Sequence, residues 1–270
     1  MVLGIDVGGS TTKIVGLKND ELVGMLQVQA SDQTTSAFGA FGKFISEYGL
    51  RMSDIHKIMV TGVGASYLGG DMYDIPTERV DEFLAIGLGG LKMASLSEAL
   101  IISVGTGTAL VKACGKHIQH LGGSGVGGGT LLNLAGRFAG IHSFAGITEM
   151  ATKGDLGMVD LRLSDISQEK IGNLPPSATV SNFGNLRDQA VNADILLGLI
   201  NMIFESIGMM AIFATLGDRV KDIVLIGSLA ATEQAGSVFS TLSKLHPVKF
   251  HIPKDAIFAT AVGAALSKKD

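Results

Sequence analysis

Short apolar runs alternate with turns along this chain, and the period of each run predicts its element. Residues 2–5 form an apolar run that ends in Asp6-Val7-Gly8-Gly9, and runs 11–17 and 22–29 follow at once. Three strand-like runs with tight connections predict an antiparallel meander. Across 34–48 the apolar residues Phe38, Phe41, Phe44 and Ile45 recur at helical spacing. Residues 58–62 read as a buried strand. Residues 80–96 read as a helix with Asp81 and Glu82 in its first turn, where carboxylates complement the helix dipole.

The pattern then restarts. Residues 99–104 are apolar and end in Gly105-Thr106-Gly107-Thr108, and 109–113 and 118–121 are further strands. Helices are predicted over 128–138 and 186–216. A strand over 222–226 ends in Gly227-Ser228. A helix over 232–245, a strand over 248–251 and a closing helix over 255–266 complete the chain. The order strands, helix, strand, helix thus occurs twice. It predicts an α/β fold of two duplicated lobes, 1–98 and 99–270, the second carrying the long helix.

Composition narrows the picture. Of 270 residues 46% are hydrophobic and 17% charged, enough apolar content for a sizeable core and too much for a disordered chain. The net charge is -4 and the basic residues are scattered, so no nucleic-acid partner is expected. Cys114 is the single cysteine, which excludes an intrachain disulfide and a cysteine metal cluster within one chain. The start lacks a signal-peptide pattern. Residues 195–217 are apolar over about a bilayer's length. Asn201, Glu205 and Ser206 at mid-span, and flanking Asp194 and Asp218, argue for a buried helix instead. No membrane association and a cytoplasmic location are expected. Glycine is abundant, 37 against 5 prolines, and clusters at 8–9, 105–107 and 122–129, where backbone must approach something closely.

Those clusters carry the candidate chemistry. In Asp6-Val7-Gly8-Gly9-Ser10-Thr11-Thr12-Lys13 a two-glycine turn can aim backbone N–H groups at a phosphate. Ser10, Thr11 and Thr12 add hydroxyls, Lys13 a cation, and Asp6 a carboxylate for Mg²⁺. The motif is neither a Walker A loop nor a dinucleotide fingerprint. Ser103-Val104-Gly105-Thr106-Gly107-Thr108 repeats the logic in the second half. Gly122-Gly123-Ser124-Gly125-Val126-Gly127-Gly128-Gly129-Thr130 opens an apolar helix, a setting suited to anions. Ile226-Gly227-Ser228 ends another buried strand. Two such turns facing each other describe the actin-like ATPase (ribonuclease H-like) fold, with ATP in the cleft gripped by one turn from each lobe. Transfer of its phosphoryl group to an alcohol needs a carboxylate beside the hydroxyl. Asp81 and Glu82 both stand at a helix start, and residue type alone leaves either as that base or as an ordinary helix-start acid.

Together these stretches resemble type II pantothenate kinases over nearly the whole chain. The likeness lies in Gly4 to Gly9 with Lys13, in Val104 to Thr108, and in Gly122 to Gly129. It continues in Gly154-Asp155-Leu156 through Asp160-Leu161 with Ser181-Asn182-Phe183-Gly184-Asn185, and in the closing helix. The resemblance implies ATP and Mg²⁺ as cofactors, the alcohol pantothenate as acceptor, and a homodimer built around the long helix, in which Glu205 would need a partner across the interface. It implies nucleotide contacts from Gly127, Gly128, Gly129, Thr130, Phe144, Gly227 and Ser228. Substrate contacts would come from Thr106, Gly123 and Ser124, with Lys13 and Thr106 near the transferred phosphate. The family's base is a Glu followed by an aromatic residue or Leu, with Gly seven positions after the Glu. Glu82, Phe83 and Gly89 match, which favours Glu82 over Asp81. Two positions depart: Leu84 stands where the family often has Asp, and His120 where it usually has an Arg that holds the acceptor. The second departure opens an alternative acceptor, a related pantoyl or pantetheine-like alcohol. Other readings are a non-catalytic nucleotide-binding regulator, a sugar kinase, and an activator of 2-hydroxyacyl-CoA dehydratases. The activators need two cysteines per chain for a shared cluster, and Cys114 is alone.

Overall fold

In the computed structural model, which describes residues 1–29 and 32–267, the first half runs β1 (Val2–Val7), β2 (Thr11–Lys18), β3 (Glu21–Gln29), α1 (Gln33–Glu47), β4 (Lys57–Thr61), β5 (Thr77–Arg79) and α2 (Glu82–Ala94). The second runs β6 (Glu98–Val104), β7 (Thr108–Cys114), β8 (His117–Ser124), α3 (Gly128–Ala139), α4 (Phe144–Ala151), β9 (Leu161–Arg162), α5 (Leu163–Ile166), β10 (Thr179–Ser181), α6 (Asn192–Ala214), β11 (Asp222–Ile226), α7 (Glu233–Leu245), β12 (Lys249–His251) and α8 (Ala259–Leu266).

Two five-stranded sheets share one topology. The first has the order β3-β2-β1-β4-β5 and the second β12-β11-β6-β7-β8. In each, a three-stranded antiparallel meander is extended by two parallel strands. The expected duplication is therefore present. Each sheet buries both faces. Phe41 and Phe44 of α1 cover the outer face of the first. Helices α3, α4, α6 and α7 cover the outer face of the second, with Phe204 and Phe239 at its centre.

The inner faces meet through α2 and α8, and each helix covers the sheet of the other half. Ile86 and Leu91 of α2 pack on Ile101, Val111 and Val224 of the second sheet. Ala261, Val262 and Ala265 of α8 pack on Val15 and Leu17 of the first. The two helices cross in backbone contact. A Cβ at Gly89 would stand 1.8 Å from the Ala259 carbonyl oxygen, and one at Gly263 would stand 1.8 Å from that of Ala85. No side chain fits at either place. The α2 glycines Gly87 and Gly90 likewise receive Ile118 and Ile101 of the second sheet.

Several edges differ from the sequence expectation. Helix α2 starts at Glu82 rather than Val80, because Asp81 caps it by accepting from the Leu84 N–H. Residues 186–191 are outside α6. The Asp194 carboxylate accepts from the N–H groups of Val191 and Asp155, which fixes the start of the helix there. Strand β5 was not expected: its three residues are too few to show a period. Helix α6 is long and apolar enough to cross a membrane by length and composition alone, yet 61% of its most apolar stretch is buried in this fold. Glu205 has a partner in its own chain, since Asn182 Nδ2 donates to it at 3.0 Å. Burial pushes its carboxyl pKa up, against that hydrogen bond. The expected need for a partner across an interface is thus corrected.

Because both helix backbones touch at the crossing, Gly89→Ala is expected to destabilise the fold by about 3 kcal/mol, the upper range for overpacking. Urea unfolding of the variant against the native chain checks this. An unchanged midpoint would contradict the crossing as described.

Candidate active site

The two meanders each end their first hairpin at one cleft of about 710 Å³. The β1–β2 turn is closed by the Gly8 N–H donating to the Thr11 carbonyl at 3.1 Å, and the β6–β7 turn by Gly105 N–H donating to Gly107 at 2.9 Å. The turns face each other closely: a Cβ at Gly9 would stand 3.9 Å from Thr106 Oγ1. The third glycine run fastens the second turn. The Gly128 and Gly129 N–H groups donate to the carbonyls of Gly105 and Thr106 at 2.8 and 2.9 Å. A Cβ at Gly127 would fall 2.8 Å from Gly107 Cα. The first two amides of α3 are therefore spent inside the protein, and the run acts as a clasp behind the β6–β7 turn.

On the first sheet the pairing register aligns a row of polar residues on one face. Lys13 is opposite both Asp6 and Gln27, and Asp6 is opposite Thr61. Directly opposed residues share a face of the sheet. The row Gln27, Lys13, Asp6, Thr61 thus crosses four strands on the side that α8 covers further along. Lys13 Nζ lies 3.7 Å from Asp6 Oδ2, and both side chains are almost wholly buried. Burial raises the Asp6 pKa above the usual carboxylate value, and Lys13 offsets part of that rise. Gly62 follows Thr61 with φ +89, and a Cβ there would meet Asp6 Oδ1 at 2.6 Å. Glycine is required on both counts.

Glu82 enters the cleft from the first turn of α2. Its pKa is raised first by burial, then by the negative charges of Asp6 and Asp81, against a lowering by Lys13. That is the setting of a carboxylate able to take a proton. Its neighbour Phe83 stacks on His120 with ring centroids 3.7 Å apart and planes at 9°. Ser228 and Gly227 close the cleft from the end of β11, and the Phe144 ring lies over Gly128.

The cleft brings together Asp6, Gly8, Gly9, Ser10, Thr11, Lys13, Glu82, Gly105, Thr106, Gly107, Thr108, Ser124, Gly128, Gly129, Phe144, Gly227 and Ser228. Five predicted residues do not line it. Thr12 is fully buried on the opposite face of the sheet from Lys13. Gly127 and Thr130 sit behind the β6–β7 turn, with Thr130 Oγ1 donating to the Gly125 carbonyl. Gly123 packs on Thr108, and His120 is held against Phe83 outside the lining. Sequence reasoning missed Gln27, Gln29, Val63, His142, Ile257 and Thr260, which also line the cleft. The strand period could have found Gln27 and Gln29, which lie opposite Lys13 and Thr11. Nothing in the sequence marks the others.

Among the described residues no group of three or more His, Cys, Asp or Glu could hold a metal ion. A sparse carboxylate set suits Mg²⁺, which takes one or two carboxylates and completes its shell with phosphates and water. Asp6 fits that role.

The Lys13–Asp6 pair gives a pH-dependent expectation. Without Lys13, the raised Asp6 pKa rises further, so the ionised form is penalised at neutral pH. Lys13→Met is expected to cost about 3 kcal/mol there, as for a broken buried pair. The loss should shrink as pH falls through the raised pKa and Asp6 becomes neutral. Unfolding at neutral and acidic pH tests this, and a loss independent of pH would contradict it.

A family model described as Fumble matches residues 92–251. The type II pantothenate kinase of Staphylococcus epidermidis is 27% identical over 275 residues, 98% of this chain and 99% of its own. That of Staphylococcus aureus (strain USA300) is 27% identical over 281 residues and covers 100% of both chains. Among solved structures, (R)-2-hydroxyglutaryl-CoA dehydratase component A of Acidaminococcus fermentans superposes with a TM-score of 0.69 at 19% identity, covering 98% of this chain and 96% of its own. The activator of the 2-hydroxyisocaproyl-CoA dehydratase from Clostridium difficile, with bound ADPNP, gives 0.67 at 19%, covering 98% and 92%. The ROK hexokinase from Thermus thermophilus gives 0.55 at 13%, covering 98% and 97%. These likenesses establish the actin-like ATPase fold.

Proposed function

This chain belongs to the Fumble family, and from that membership and the cleft we propose that it is an ATP-dependent kinase that phosphorylates pantothenate to 4'-phosphopantothenate, the first step of coenzyme A biosynthesis. The observation that carries the reading is Glu82, a carboxylate of raised pKa beside Asp6 and Lys13, in a cleft closed by one glycine turn from each sheet. In this reading the primary hydroxyl of the acceptor lies against Glu82. Its oxygen forms the new bond to the γ-phosphorus, the bond to the β-phosphate oxygen breaks, ADP leaves, and the hydroxyl proton passes to Glu82. Lys13 turns from Asp6 to the transferred phosphate, and the two turns hold the remaining oxygens. Mg²⁺ at Asp6 would offset phosphate charge. Lobes 1–98 and 99–270 would close on the nucleotide and exclude water.

Two finer features belong to the same reading. Along α6, Met202, Met209 and Met210 are half-buried at the edge of the core, and Phe213 beyond them is 61% exposed. Such a stripe suits a homodimer, and a monomeric mass in solution would overturn that part. A cytoplasmic location follows from the pathway. One observation favours a second acceptor. His120 stacks on Phe83 instead of lining the cleft, so a related pantoyl or pantetheine-like alcohol is the alternative.

ADP release from Mg-ATP, measured with and without pantothenate, tests the reading. Pantothenate is expected to stimulate release strongly, and Glu82→Gln to cut that rate by about 10²- to 10⁴-fold. ATP binding with no response to pantothenate would move the acceptor to the alternative alcohols. A second expectation concerns pH. Glu82 must be ionised to take the proton, so activity should fall on acidification through its raised pKa. The acid limb of the kcat profile should lie above the ordinary glutamate value of 4.5. A limb at or below that value would contradict the environment described for Glu82.

A further inference from the structure

Thr61 ends β4 and is fully buried, and its hydroxyl has no hydrogen-bond partner. A buried hydroxyl without a partner is uncommon and calls for a physical reason. Thr61 is directly opposite Asp6 in the parallel β1–β4 pair, on the face of the sheet that carries the cleft row. The Asp6 carboxylate is divided between two sides. Oδ2 faces Lys13 at 3.7 Å, whereas Oδ1 lies over the bare Cα of Gly62, the residue next to Thr61. The absent side chain at Gly62 leaves that oxygen its place. Thr12 also has a free hydroxyl, but it lies on the opposite face of the sheet under α1, away from Asp6. The third unpartnered group, Gln234 Oε1, belongs to α7 in the other half.

We propose that Thr61 is the positioning residue for Asp6: its hydroxyl donates to the carboxylate when Lys13 leaves for the phosphate, and so aims Asp6 at the Mg²⁺ that accompanies the nucleotide. This deepens the kinase reading and rests on it. Lys13 cannot serve Asp6 and a transferred phosphate equally well, and the nucleotide that draws the lysine away would fill the cleft that Asp6 faces. Thr61 is the buried, unused donor directly beside Asp6, whereas Gln27 at the far end of the row is exposed and separated from Asp6 by Lys13. The carboxylate thus has two settings, one against Lys13 in the empty cleft and one against Thr61 in the loaded cleft. Partners of a metal-binding carboxylate characteristically change metal affinity by about 10- to 100-fold when removed.

The test uses the full chain and a fluorescent non-hydrolysable ATP analogue, titrated with Mg²⁺. Thr61→Val keeps the shape and removes the hydroxyl, and Thr61→Ser keeps the hydroxyl. The valine variant is expected to need about tenfold more Mg²⁺ for half-maximal binding, with its melting temperature unchanged. Its KM for pantothenate should stay the same while kcat falls. The serine variant should bind Mg²⁺ with the native midpoint. An unchanged Mg²⁺ midpoint in the valine variant would overturn the proposal, as would equal shifts in the valine and serine variants. Thr61→Ala, read the same way, replaces valine if that variant does not fold. The kinase reading fails separately: a native chain that binds no nucleotide at any Mg²⁺ concentration would end it, and this inference with it.

Discussion

The contact on which the rest of the structure depends is the crossing of α2 and α8. Two glycines, Gly89 and Gly263, bring the helix backbones so close that each occupies the space of the other's missing side chain. Each helix then covers the inner face of the sheet contributed by the opposite half. The cleft is the space left above this crossing. Its walls are therefore set by backbone contact, which holds distances more tightly than interdigitated side chains can. Glu82 gains most from this. It stands in the first turn of α2, and its distance to the charges of the first sheet is fixed by where α2 rests.

The electrostatics follow from the register. One row across the first sheet places an acid and a base side by side in a poorly hydrated place, and a second acid enters from α2. Burial raises the pKa of both acids, and the single lysine lowers both. The lysine cannot fully compensate two carboxylates. An anionic phosphate drawing Lys13 away would leave more negative charge uncompensated, which a divalent cation balances. The proposed need for a cation would then arise from the count of charges in the cleft, two acids against one lysine. The second sheet contributes no charge of this kind. Its turn is clasped by α3 and supplies shape.

Much of this was legible in the sequence, for definite reasons. The paired glycine turns stood out because each follows an apolar run and precedes another. The duplication was visible because both halves repeat that order. Helix edges were less legible. Asp81 and Asp194 act as caps, and a capping side chain can be recognised only when the backbone around it is known. Thr12 illustrates a different limit. The strand period puts neighbours on opposite faces, so Thr12 and Lys13 cannot both reach the cleft. Motif reading took them together, where the period of two separates them. The glycine run before α3 suggested free amides for an anion. The amides exist, but Gly105 and Thr106 accept them, a long-range pairing with no sequence signal.

The exchange of α2 and α8 also governs how the protein is made. The first sheet is complete as a set of strands once β5 has formed, but its inner face, with Val15 and Leu17, is covered chiefly by α8 and by Phe258 just before it. Among the described elements that helix comes after all the strands and the other helices. Ribosomal synthesis delivers the first half early and its cover late, so Val15 and Leu17 wait in the nascent chain for a helix that has not yet been translated. The first half is not an independent folding unit, and a chain stopped before α8 would expose an apolar sheet face to aggregation.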